Sequence, residues 1–174
     1  MLDIYYCSIN IGGYDLHLAS SEKGLVAIGI EEIEEQFIKD LKKDFSERSI
    51  ILNEAANLPY IQQLTEFFQG NRKTFTAPLH LIGTKFQKQV WQALLKIPFG
   101  KVVSYKDIAV EIGNPKAMRA VGMANNKNRI PIIIPCHRVI GSNKKLVGYG
   151  GGLHIKERLL KLEGIEIVKE KVVN

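Results

Sequence analysis

Cys136-His137-Arg138 sets a thiol, an imidazole and a guanidinium at consecutive positions, directly after the apolar run Ile130–Pro135. Thiolate is the nucleophilic form of cysteine and nearby positive charge favours it, so Cys136 is the candidate nucleophile and a lowered thiol pKa is expected. A nucleophilic site also needs a group that orients the imidazole. Glu163 extends the apolar helical stripe of Ile155, Leu159 and Leu162, just before Gly164, where a negative charge opposes the helix dipole. An acid set against both burial and dipole needs a partner, and His137 fits. Each has a plainer alternative: Cys136 as an inert buried thiol, and Glu163 as a solvated residue at a frayed helix end. Between them lies Gly148-Tyr149-Gly150-Gly151-Gly152, which matches neither phosphate-binding glycine pattern. Its amides are open to an acceptor atom, and Tyr149 is open to covering a ring.

The elements that must position these residues follow from periodicity and caps. Ile130–Pro135 reads as a short buried strand bounded by prolines, a rigid mount for Cys136. Thr84-Lys85-Phe86-Gln87 is a capping box ahead of the stripe Phe86, Val90, Leu94 and Ile97, which stops at Pro98-Phe99-Gly100. Ser104 caps a helix running to Ile112, and Gly113 ends it. Asn114 then caps a second helix, with Pro115 at its first position, that runs to about Asn125. Helix, glycine-containing turn, helix is the helix-turn-helix arrangement. Ala117, Ala120 and Ala124 make a small-residue stripe beside Arg119, suited to close packing on another helix or to close approach of a nucleic acid. The charges of Lys116, Arg119, Lys127 and Arg129 favour the second.

Upstream, Asp3–Ile9, Tyr14–Ser20 and Leu25–Ile30 read as strands joined by turns at Gly12-Gly13 and Lys23-Gly24. Helices are expected over Glu31–Phe45 and Pro59–Phe68, and Gly70–Pro78 has the turn residues of a boundary. The expected architecture is an α/β N-terminal domain over 1–78, a small antiparallel sheet with helices. A mainly α C-terminal domain over 79–174 carries the helix-turn-helix and the short buried strand.

Composition bounds the function. The 174 residues are 45% apolar and 24% charged, which excludes a disordered chain, a coiled coil and a collagen-like repeat. No apolar run is long enough to span a membrane, and Met1-Leu2-Asp3-Ile4 lacks the basic start of a secretory signal. Two cysteines, Cys7 and Cys136, make no disulfide framework, so a reduced, cytoplasmic protein is expected, nuclear in a eukaryote. Residues 1–78 hold seven Lys and Arg against twelve Asp and Glu, a net of −5, and residues 79–174 hold seventeen against six, a net of +11. That asymmetry sets an acidic module beside a basic one suited to a polyanion or simply to a solvated basic face.

Taken in order, F-Q-x-x-V-W at 86–91, I-P-F-G at 97–100, S-Y at 104–105, N-P-K-A-x-R-A-V-G at 114–122, I-P-C-H-R-V-I at 134–140, and G-Y-G-G-G-L with K-x-x-L-L-x-x-E-G at 148–164 resemble the O6-alkylguanine-DNA alkyltransferase family. The resemblance is strong over 80–165, while 1–78 resembles the family only in placement. It implies single, irreversible transfer of an alkyl group from guanine O6 in double-stranded DNA to Cys136, by a monomer, with no cofactor. It implies His137 acting through a bridging water, Glu163 orienting it, and Asn128 bracing the active-site turn. By the same resemblance Arg119 fills the space a flipped base leaves, while the Pro115–Asn125 helix enters the minor groove. Tyr105 would hydrogen-bond the guanine, press on the 3′ phosphate and supply a donor as the alkyl leaves. The remaining DNA contacts implied are Lys106, Asn114, Ala117, Ala120 and Ser142. Carbonyls near Cys136 and Val139, the Gly150 amide and Tyr149 would hold the base. The chain departs from the usual family pattern with Lys127 and Arg129 flanking Asn128 and with Gly150 after the loop tyrosine. Cys7, His17 and His80 fit no standard zinc spacing, and no metal is expected. Two other classes compete: a DNA-binding regulator indifferent to loss of Cys136, and a cysteine hydrolase, for which no oxyanion-hole signature is visible.

Overall fold

The computed structural model describes residues 3–173; Met1 and Leu2, part of the N-terminal run read for a leader, lie outside it. The chain forms one compact unit up to Ile82 and a second from Gly83.

In the first unit β1 (Ile4–Ile11) and β2 (Tyr14–Ser21) are joined through Gly12 and Gly13, both at positive φ (61° and 79°). Two left-handed residues match the twist of a two-residue hairpin turn, which is why glycine stands at both. β3 (Gly24–Ile30) follows, then α1 (Glu34–Asp44), β4 (Ile50–Leu52) and α2 (Leu58–Phe68). Acidic residues begin α1 and lysines end it, complementing the helix dipole. Its Phe37 and Leu41 meet Ile4, Ala19, Val26, Ala27 and Phe45 in a core on the sheet.

The sheet order is β3-β2-β1-β4, and β4 pairs parallel with β1. The sheet is therefore mixed, where an antiparallel one was expected: α1 carries the chain back across the sheet, so β4 enters alongside β1 in the same direction. Pro78–His80 also stays with this unit, since Leu25 N donates to Pro78 O (3.0 Å) and His80 N to Leu25 O (2.8 Å). A side chain at Gly24 would collide with the Pro78 carbonyl, so glycine is required there.

The second unit opens with α3 (Lys85–Leu94), whose capping box at Thr84 is formed as expected, with Gln87 N donating to Thr84 Oγ1 and Thr84 N to Gln87 Oε1. β5 (Val103–Ser104) leads into α4 (Tyr105–Glu111), closed by a second capping box between Ser104 and Asp107. After a turn comes α5 (Met118–Asn126), packed on α3 and α4, with Trp91 Nε1 donating to the Ala124 carbonyl. α5 begins later than the sequence predicts. Asn114 does not cap it; its carbonyl closes a separate turn on Ala117 N, and Pro115 and Lys116 stay in that turn. β6 (Val139–Ile140) pairs parallel with β5, α6 spans Leu153–Leu162, and β7 (Ile167–Val168) and β8 (Lys171–Val172) form a hairpin. Ile140, Leu146, Leu160, Ile165, Ile167 and Val172 form a core cluster here.

Ile130–Pro135 is a turn, not the predicted strand. Pro131 and Pro135 bring no N–H to a ladder, and the run instead folds on itself through Ile134 N to Ile130 O (2.9 Å). Ile132 holds φ at +73°, a left-handed conformation rare for a β-branched residue and one that the surrounding structure must enforce. The buried strand that does exist is β6, immediately after the Cys-His-Arg turn.

Candidate active site

Cys136 begins a single 3-10 turn, Cys136–Arg138, that links the Ile130–Pro135 turn to β6. It is buried, 4% exposed. Two asparagines fix its backbone. Asn128 receives Ile130 N on its Oδ1 (3.0 Å) and donates Nδ2 to the Ile134 carbonyl (2.8 Å), clamping both ends of the preceding turn. Asn125, on α5, donates to the Cys136 carbonyl (3.4 Å).

His137 turns the other way. Its ring is fully buried, and Nε2 lies 2.6 Å from Glu163 Oε1. Burial lowers its pKa, and the interaction with Glu163 opposes that without reversing it. The residue is therefore neutral imidazole at pH 7, with the proton on Nε2 facing the carboxylate. Nδ1 has no protein hydrogen-bond partner and keeps a free lone pair.

Glu163 is the C-cap of α6, where the chain leaves the helix before Gly164, at φ 81°. Its carboxylate accepts from His137, from Arg138 Nε and Nη2 (3.0–3.1 Å), and from Gly100 N (2.9 Å). Burial works against its charge, but hydrogen bonds from His137 and Arg138 together with the Arg138 charge outweigh burial and hold the pKa at about 2. Arg138 completes its fork on the Ile97 carbonyl (2.6 Å).

The expectation of a lowered thiol pKa fails. Burial dominates and raises the Cys136 pKa, against hydrogen bonding from Asn128, the charge of Lys156 and hydrogen bonding from Tyr149. The sequence neighbours are not the source of the opposing charge, because His137 is neutral and the Arg138 guanidinium is committed to Glu163. That charge comes from Lys156, which sequence reasoning passed over. Its side chain is fully buried on α6, and Nζ donates to the Val139 and Val147 carbonyls. Burial lowers its pKa to about 8, while Cys136 pulls it upward, so it is charged at neutral pH. The signal was present in the spacing, since Lys156 lies on one helix face with Leu160 and Glu163.

Tyr105, at the start of α4, donates its hydroxyl to the Val147 (2.9 Å) and Gly148 (3.3 Å) carbonyls. Burial, then the nearness of Cys136, raises its pKa to about 12, so it remains a donor throughout the physiological range. Cys136, His137, Glu163 and Val139 are thus buried together, with half-buried Asn128, Tyr105 and Tyr149 near the thiol and Gly150 exposed in the loop that follows Val147 and Gly148. Asn114, Ala120, Arg119, Lys106 and Ser142 are exposed and Ala117 is half-buried. Of the alanine stripe, Ala124 is buried and serves helix packing, while Ala120 faces out. A cleft of about 750 Å³ lined by Lys101, Ser104, Lys106, Ser142 and Lys144 among others lies elsewhere in this unit, and Cys136 does not line it. Among the described residues no group of His, Cys, Asp or Glu is arranged to hold a metal. His17 is bonded to Ser8 and to the Glu32 carbonyl, and His80 to Ser21.

A buried thiol on a braced turn, beside a neutral histidine oriented by a carboxylate and near a helix that carries Arg119 and is flanked by Lys116, Lys127 and Arg129, defines a cysteine-centred group-transfer protein. The chain belongs to the 6-O-methylguanine DNA methyltransferase family. The family's DNA-binding domain model matches residues 85–165, and its ribonuclease-like domain model matches 4–81. The methylated-DNA–protein-cysteine methyltransferase of Methanosarcina mazei is 48% identical over 92% of this chain and 97% of its own length. The inducible enzyme of that name from Bacillus subtilis is 41% identical, over 92% and 90%. Mycobacterium tuberculosis OGT, solved in complex with DNA, superposes with a TM-score of 0.78 at 39% identity, covering 91% of this chain and 92% of that one. No helix among the described residues is long and apolar enough to cross a membrane.

Proposed function

We propose that this chain repairs O6-alkylguanine in double-stranded DNA by moving the alkyl group once, irreversibly, onto Cys136. The observation that carries the reading is the buried Cys136 thiol on a clamped turn whose next residue, His137, is locked to Glu163. The thiol proton passes to His137 Nδ1 through a water, adjacent side chains being unable to aim at one point directly. The S–C bond forms as the C–O6 bond breaks, and the electron pair of that bond stays on guanine. Tyr105, held neutral, donates a hydrogen bond to the departing base, and the proton lost by the thiol ends on it. The product thioether has no free thiol, so each chain acts once.

Charge balances at each stage. Arg138 faces Glu163 permanently, and Lys156 faces the thiolate when it forms, so the buried site never holds an uncompensated anion. A thiol whose resting pKa is raised stays protonated until a substrate and the proton relay are in place, which limits oxidation of the one reactive cysteine.

Atoms of a base are out of reach inside a duplex, so the target nucleotide must be flipped into the site. α4 and α5 act as the helix-turn-helix, α5 enters the minor groove, and Arg119 occupies the vacated stack. Lys106, Asn114, Ala117, Ala120 and Ser142 contact the backbone, and the Val139 carbonyl, Tyr149 and Gly150 hold the base. The protein works as a monomer without a cofactor, in the compartment that holds the DNA, the cytoplasm of a prokaryote.

The test is incubation with one equivalent of duplex containing O6-methylguanine, followed by peptide mass mapping. One methyl on the Cys136 peptide with stoichiometric loss of the lesion is the expected result. Lesion binding with an unmodified Cys136 would leave a damage-recognition protein, and turnover beyond one equivalent would exclude the single-use reaction.

A further inference from the structure

Helix α5 turns Val121, Ala124 and Asn125 inward. Its outer face carries Arg119 and Met123, with Lys116 just ahead of the helix and Lys127 at its C-cap, all exposed and spaced three or four residues apart. Met123 is 69% exposed, so its thioether packs on little of its own fold although it stands in the middle of a cationic stripe. The preceding residue, Gly122, lies against the Tyr105 ring, with an added Cβ 3.9 Å away. The outer face of α5 therefore adjoins the reactive site without forming part of it. Lysine and arginine in that stripe suit phosphates. An unbranched, polarisable, apolar chain does not; it suits base and sugar edges and fits irregular gaps.

Building on the repair reading, we propose that Met123 is an apolar wedge one helical turn beyond Arg119. On duplex DNA it enters the minor groove against the base step beside the extruded nucleotide and holds that step unstacked while the target base occupies the Cys136 site. Its partner is the bases of double-stranded DNA, held by apolar contact and not through phosphate.

The experiment compares the full chain with Met123→Ala and Met123→Lys. The readouts are single-turnover rate on saturating O6-methylguanine duplex, rate on the free base O6-benzylguanine, and salt dependence of duplex binding. Met123→Ala is expected to slow the duplex reaction roughly five- to ten-fold, since only the extruded state uses a wedge. Its free-base rate should stay within about two-fold, as no base step is opened there. Met123→Lys should also lose duplex rate. The wedge is overturned if Met123→Ala matches the unaltered chain on duplex, or if it loses equally on both substrates. It is overturned too if Met123→Lys binds duplex more tightly with a steeper salt slope and undiminished rate, which would mark a position facing phosphate. Failure of the unaltered chain to react with either substrate would sink the repair reading itself, and is distinguished by that control.

Discussion

At the scale of single residues, the site is a set of buried charges that tolerate little change. Glu163→Gln keeps the shape but leaves Arg138 without its counter-charge, and removing one partner of a buried pair costs about 3–5 kcal/mol. Denaturant unfolding is the measurement. A loss below about 1 kcal/mol would mean that Arg138 finds water instead. The pH dependence has a definite sign. Folded His137 resists protonation that an ordinary histidine accepts near 6.5, and folded Glu163 stays ionised down to about 2, where an ordinary glutamate takes a proton near 4.5. In both cases the unfolded chain binds more protons as pH falls, so stability decreases with falling pH. The melting temperature should drop first below about 6.5 and again between 4.5 and 2, and Glu163→Gln should lack the second limb. A curve flat from pH 7 to 5 would contradict the neutral, buried His137.

Elements show where the sequence could be read and where it could not. The capping box at Thr84 was legible because Gln87 sits three residues on, and Ser104 was legible as an N-cap, whereas the return bond from Asp107 that makes a second box is known from the structure alone. The pairing of His137 with Glu163 was one of two readings, since a carboxylate on an apolar stripe before a glycine needs a partner if buried and none if the helix end frays, and the 2.6 Å contact decides for the partner. Ile130–Pro135 reads as a strand because isoleucines favour strands, whereas its shape is imposed by the Asn128 carboxamide and by prolines that bring no N–H to a ladder. β4 escaped notice because three residues at an edge carry little pattern of their own, and Lys156 because a lysine reads as surface until its face is drawn. The turn makes its own prediction. Asn128→Ala strands the Ile130 amide and a buried carbonyl and should cost about 1–3 kcal/mol. The alkyl-transfer rate should fall as well, because Cys136 no longer sits on a fixed mount. A variant that loses stability but keeps its single-turnover rate at low temperature would show the brace to be structural only. α5 predicts differently. Arg119 is exposed and supports no packing, so Arg119→Ala should leave the melting temperature within about a degree, surface changes being nearly neutral. It should slow repair of duplex far more than reaction with the free base, and equal losses on both would remove the finger role.

For the whole molecule, the decisive quantity is where its charge lies. Residues 1–78 carry a net of −5 and 79–174 a net of +11, so the chain's net of +6 understates the field of the unit that holds Cys136. Exposed Lys101, Lys106, Lys116, Arg119, Lys127 and Lys144 all belong to that unit. Counterion release then sets the affinity. Binding that neutralises on the order of five phosphates gives a log–log salt slope near −4.5, or roughly a 500-fold loss of affinity between 50 and 200 mM salt. Fluorescence anisotropy of an undamaged duplex across that range measures it directly. The same titration on lesion-bearing duplex with the reaction blocked by Cys136→Ser should give a parallel line displaced to tighter binding. On the proposed base-flipping reading, phosphate contacts are common to both duplexes, and a flipped base adds contacts that release no further counterions. A flat response would mean that the basic residues are only a solvated face, and a steeper slope on the lesion duplex would mean that flipping recruits further phosphate contacts.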